Sequence, residues 1–88
     1  MERTNKEQAK LFIECVSDIY FDGELHTENA KKATKEVEKA LDAGVKEFAC
    51  YLGDEVTIDT NMGDYKEYEP IQQVKIGETV ANIYDDRD

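Results

Sequence analysis

The sequence predicts an α+β fold in which an N-terminal antiparallel helical hairpin packs on a C-terminal antiparallel β-meander, in the order α-α-β-β-β-β. Apolar residues recur at three- and four-residue steps as far as Gly44, and the period shortens to two beyond it. Gly-containing turn dipeptides then divide the remainder into short strands. The 88 residues have room for one core, since a chain of this size buries only roughly 60% of the surface that it exposes when unfolded. Residues 1–88 are therefore read as a single small acidic domain.

The first helix is announced by Thr4-Asn5-Lys6-Glu7, a capping box in which the threonine oxygen and the glutamate carboxylate each satisfy a backbone N–H left free at a helix start. Ala9, Phe12, Ile13, Val16, Ile19 and Tyr20 follow at helical spacing, with Leu11 and Cys15 widening the stripe, until Gly23 offers a residue able to adopt positive φ. This predicts a helix over residues 5–21, with Phe12, Val16 and Ile19 buried. Thr27 is the expected N-cap of a second helix, in which Ala30, Ala33, Val37, Ala40 and Leu41 share one side and Gly44 closes the end. Lys31, Lys32, Lys35, Glu36, Glu38 and Lys39 cover the rest as a solvated face, with Glu28 and Lys32 spaced for a local ion pair. The short connection Asp22 to His26 makes the two helices antiparallel neighbours.

Beyond Gly44, Phe48-Ala49-Cys50-Tyr51-Leu52 reads as a largely buried strand, and Glu55-Val56-Thr57-Ile58-Asp59-Thr60 alternates apolar with polar. Gly53-Asp54 between them suits a two-residue hairpin with Gly at positive φ. A second hairpin is expected from Ile71–Ile76 and Thr79–Tyr84 about Gly77-Glu78, with Pro70 at its start and Val74, Ile76, Val80 and Ile83 available to the core. Residues 61–69 form the longest irregular connection. The meander is expected to lay one face on the helices and to leave the other to solvent.

Catalysis needs a nucleophile or base with an orienting partner, and the sole histidine, His26, sits in the inter-helix turn without one. No GxSxG elbow, Cys-His signature or phosphate-cradling glycine motif accompanies it, so no catalytic residue and no cofactor are assigned. Cys15 and Cys50 are read as free, buried packing thiols, since they lack CxxC spacing and fall in apolar stretches. Asp59-Thr60-Asn61-Met62-Gly63-Asp64 has the look of a calcium loop. An EF-hand counted from Asp59 requires Asp or Asn at the fifth position, Gly at the sixth and Glu at the twelfth, where the chain has Gly63, Asp64 and Pro70. A polar turn is the better account, and no metal site is assigned.

Charge carries the functional reading. Acids outnumber bases 21 to 11, for a net charge of −10. Such a balance opposes direct binding to nucleic acid or to an anionic membrane surface, and no apolar run approaches the roughly 20 residues of a membrane span. Residues 1–50 hold 11 acids and 8 bases, whereas residues 51–88 hold 10 and 3, so the C-terminal half is the acidic one. The charged residues at the start of the sequence are not followed by an apolar signal segment, and a reducing, cytoplasmic setting is expected, host cytoplasm if the chain is phage-encoded.

Asp54, Glu55, Asp59, Asp64, Glu67 and Glu69 are set against Lys66 alone and interleaved with Tyr65 and Tyr68. Acids steer a basic surface toward such a segment, and tyrosines anchor interfaces at little entropic cost. The competing reading is that the tyrosines cap the sheet while the acids keep the chain soluble. Two classes of function follow. One is a small acidic binding module that docks on the basic surface of a nucleic-acid-handling protein, of the size and charge found among phage and mobile-element inhibitors, DNA mimics and anti-CRISPR proteins. That similarity is compositional and covers no motif. The other is a structural or homodimeric accessory subunit, joined through the stripe of the first helix or an open sheet edge.

Overall fold

A computed structural model describes residues 3–85, the side chain of Asp64 excepted. The first helix, α1, spans Asn5–Tyr20, and Thr4 caps it with its Oγ1 accepting from the Glu7 N–H at 3.1 Å. Left-handed backbone at Asp22 (φ 53°) and Gly23 (φ 77°) turns the chain away, and the Gly23 N–H donates back to the Ser17 carbonyl at 2.9 Å. The second helix, α2, spans Thr27–Asp42. Its N-cap is His26 and not Thr27 as the sequence suggested. His26 holds the non-helical backbone a cap requires (ψ 133°), and its Nδ1 accepts from the Glu28 N–H at 3.3 Å, while Thr27 is already in the first turn.

The two helices pack against each other and bury Ala9, Phe12, Ile13 and Val16 of α1 with Asn29, Ala33, Val37 and Ala40 of α2. Small alanines on α2 let the backbones approach closely. Three expectations for α1 are corrected here: Ile19 is 61% exposed, Leu11 is 41% exposed, and Cys15 is exposed and not a core thiol. Apolar residues occupy more of the α1 circumference than one sheet and one neighbouring helix can cover. The buried row continues from Val16 to Tyr20, leaving Ile19 on the flank.

Four strands follow: β1 Glu47–Leu52, β2 Val56–Asp59, β3 Gln72–Ile76 and β4 Thr79–Asp85. They form one sheet in the order β2-β1-β4-β3. The α-α-β-β-β-β class is the predicted one, but the sheet is mixed and not an antiparallel meander. β1 pairs with β2 and β3 with β4 antiparallel, as expected of two hairpins, yet the hairpins join through a parallel β1/β4 pair. Burial matches the order: β4 and most of β1 are covered on both faces and take the centre, with Asn82 on the outer face bonded to Gln73 and Glu47, whereas β2 and β3 alternate or are polar and take the edges.

The β1–β2 turn also differs from expectation. Leu52 pairs with Val56, so the loop is Gly53-Asp54-Glu55, closed by the Gly53 N–H on the Glu55 carbonyl at 3.1 Å, and Gly53 is not in the left-handed region. The second turn is as predicted, with Gly77 at φ +62° between Ile76 and Thr79.

Phe48, Cys50 and Leu52 of β1, Val56 and Ile58 of β2 and Ala81 and Ile83 of β4 meet the helices, with Phe12 edge-on to Phe48 at 5.8 Å. Asn29 ties α2 to β2: its Nδ2 donates to the Val56 carbonyl at 3.0 Å and its Oδ1 accepts from the Val56 N–H at 2.8 Å. Among the described residues no helix is long and apolar enough to cross a membrane.

Candidate acidic interface

The parallel pair dictates where the acidic segment goes. β2 lies at one edge of the sheet and β3 at the other, so residues 60–71 must cross it, and they do so over the face opposite the helices. The expectation of a bare outer face is thereby corrected. Alternation along β1 and β4 turns Tyr51 and Tyr84 to this side, and the parallel register sets them next to each other.

Asp59 ends β2 half-buried, its Oδ1 accepting from the Asn61 N–H at 2.8 Å, and Asn61 Oδ1 in turn accepts from the Gly63 N–H at 3.1 Å. These two side-chain turns start a short 3₁₀ helix, Met62–Tyr65. The calcium-like spacing thus has a local use, since these carboxylate and amide oxygens are engaged by backbone N–H groups. Tyr65 at the end of this helix stacks on Tyr84 with ring centres 5.0 Å apart and lies 6.5 Å from both Tyr51 and Tyr68. Burial foremost, and the Glu47 carboxylate second, push the Tyr84 hydroxyl above its ordinary value.

Tyr65 and Tyr68, alike in sequence, therefore diverge. Tyr65 is half-buried against the sheet, whereas Tyr68 is 65% exposed, its N–H bonded to the Tyr65 carbonyl at 3.1 Å. Glu67 and Glu69 flank Tyr68 and are exposed, as are Asp54 and Glu55 on the turn that leaves β1 beside Tyr51. Asp64 lies within the 3₁₀ helix and its side chain is outside the described residues. Asp85, level with Leu52 at the end of β4, shares the helix-side parity of Ile83 and acts on Tyr20 of α1, so it does not belong to this face.

The tyrosine platform of Tyr51 and Tyr84 was missed because it depends on strand order. The signal open to inspection was a tyrosine in each of the two strands that are mostly apolar at both parities. Elsewhere Lys31, Lys32 and Lys35 are exposed on α2, and Cys50 is fully buried. Among the described residues no group of three or more His, Cys, Asp or Glu side chains is placed to hold a metal ion, and every buried side-chain nitrogen or oxygen has a hydrogen-bond partner. Comparison of the chain with protein families, with curated proteins and with solved structures finds no match.

Proposed function

We propose that this chain is a protein-binding module whose acidic face docks on the basic surface of another protein, of the kind that nucleic-acid-handling enzymes present. The observation that carries the reading is Tyr68, a 65% exposed aromatic between the exposed Glu67 and Glu69, on a connection anchored to the sheet by the Tyr65 stack. A segment held before binding loses little entropy on docking, and an exposed ring rimmed by charge combines an anchor with electrostatic steering. Blocking a nucleic-acid site in this way is the behaviour of a DNA mimic, and a phage-encoded inhibitor of the anti-CRISPR type is the version that best suits the size and the net charge of −10. The free thiols Cys15 and Cys50 suit a reducing cytoplasm.

Affinity capture from the source cell tests this, using the parent chain beside a variant with Asp54, Glu55, Glu67 and Glu69 changed to Lys. Asp59 is left alone because its carboxylate holds the Asn61 turn. The parent should retain a basic protein that elutes with salt and that the variant fails to retain, since charge steering fades as ionic strength rises. Tyr68→Ala should speed dissociation, while Lys31, Lys32 and Lys35 changed to Glu should leave binding intact. Retention of the same partners by the parent and the charge-reversed chain would sink the reading.

A further inference from the structure

Leu11, Cys15 and Ile19 stand four residues apart on α1 and all are exposed. That spacing places them in one row, an apolar strip that the described residues leave uncovered. Beside it lies β3, an edge strand. The Tyr20 hydroxyl donates to Gln72 Oε1 at 2.7 Å, and Gln8 lies 3.7 Å from where a Cβ on Gly77 would sit. These contacts run α1 antiparallel to β3 and set Cys15 level with Val74, the middle of the strand. Leu11, Cys15 and Ile19 share one groove with Gln72, Val74 and Lys75.

The open edge has a definite pattern. On β4, the Val80 N–H donates toward β1, to the Lys46 carbonyl at 2.8 Å, while the Ile83 carbonyl accepts from Ile71 on the β3 side at 2.7 Å. Alternation then turns Gln72, Val74 and Ile76 inward, opposite Ile83, Ala81 and Thr79, and leaves the N–H and C=O of Gln73 and Lys75 on the free edge. β3 is also the one strand of the four without an acid. In a chain of net charge −10, like charge opposes self-association over most of the surface. In this groove the charged residues are Arg3 and Lys75, among the described residues.

We propose that this face joins two copies of the chain. β3 pairs antiparallel with β3 of the second copy about a twofold axis through Val74, which doubles the four-stranded sheet, and the α1 rows pack across the same axis. Gln73 of one copy then faces Lys75 of the other, so the outward N–H and C=O groups of both edges meet as hydrogen-bonded pairs. Val74 faces its own copy beneath the helices, and no two lysines stand directly opposite. A foreign strand would pair with β3 but leave the α1 row needing a partner of its own. A second copy supplies both by symmetry.

Sedimentation velocity over a wide range of concentration reads the association on the full chain. A monomer–dimer equilibrium is expected. Lys75→Pro removes an N–H that β4 does not use, and Ile19→Asp sets a carboxylate in the row without entering the core. Each should raise the dissociation constant about tenfold or more, with the far-ultraviolet dichroism of the parent, whereas Thr57→Lys on the opposite edge should leave it unchanged. The Cys15 thiols would flank the axis. Diamide, which takes up the electrons and protons released when two thiols join, should therefore give a covalent dimer that Cys15→Ser abolishes and Cys50→Ala does not. A chain that stays monomeric at every concentration overturns the proposal, as does a dimer that Lys75→Pro and Ile19→Asp both leave intact.

Discussion

Asn29 is the polar residue on which the joint between helices and sheet depends. Its amide spans the N–H and C=O of Val56 in a buried setting, so Asn29→Ala strands one donor and one acceptor away from water. Each costs about 1 to 3 kcal/mol, and urea or thermal unfolding should show a loss of about 2 to 6 kcal/mol. Melting unchanged to within a degree or two would mean that water replaces the amide. Cys50 couples the stability of the fold to pH. Burial pushes its thiol from an ordinary 9.0 up to about 12, so the folded chain holds this proton more tightly than the unfolded one. Stability is therefore fully present below about pH 9 and is lost as pH rises toward 12. Tyr20 and Tyr84, raised from 10.0 chiefly by burial, add to the loss at higher pH still. Melting temperature should be flat up to about pH 9 and then fall, with a shallower fall just above it in Cys50→Ala. Coincident slopes for the two chains would remove Cys50 from the account.

Among the elements, α1 shows how one helix serves two directions. Phe12 is 5% exposed and edge-on to Phe48, and Phe12→Ala should cost about 3 to 5 kcal/mol. In dilute solution Ile19→Ala should stay within about 0.5 kcal/mol of the parent, as surface changes do. Denaturant midpoints for the pair measure the contrast directly, and equal losses would contradict the assigned face. The sequence does not separate these positions, because both belong to apolar spacing that wraps more than half the helix. Element existence was legible wherever the cause is local: the Thr4 cap, the Gly44 stop and the Gly77 turn all act within a few residues. The β1–β2 turn was misjudged by one residue since Gly53 supplies no positive φ, and the His26 cap was missed because a histidine ring there competes with a better-known threonine.

Across the chain as a unit, strand order is the property that local pattern does not carry. Two hairpins were readable, but their junction through β1 and β4 joins residues more than thirty positions apart, such as Phe48 and Ala81. The residual clue was the apolar content of both faces, since Cys50 with Tyr51 and Ile83 with Tyr84 put large side chains on either side of these strands, Asn82 and Glu47 being the polar exceptions. The same junction governs how much of the candidate site was legible. The exposure of Asp54, Glu55, Glu67, Glu69 and Tyr68 agrees with what acidic composition implied. The inward turn of Tyr65 and the platform beneath it depend on a crossover that composition does not reveal. This crossover has an optical consequence. The chain has no tryptophan and five tyrosines, and Tyr51, Tyr65, Tyr68 and Tyr84 belong to one cluster. Its ultraviolet emission and near-ultraviolet dichroism therefore report mainly on the strap across the sheet and little on the helices, so lifting of that strap registers as a spectral change while the helical signal holds still.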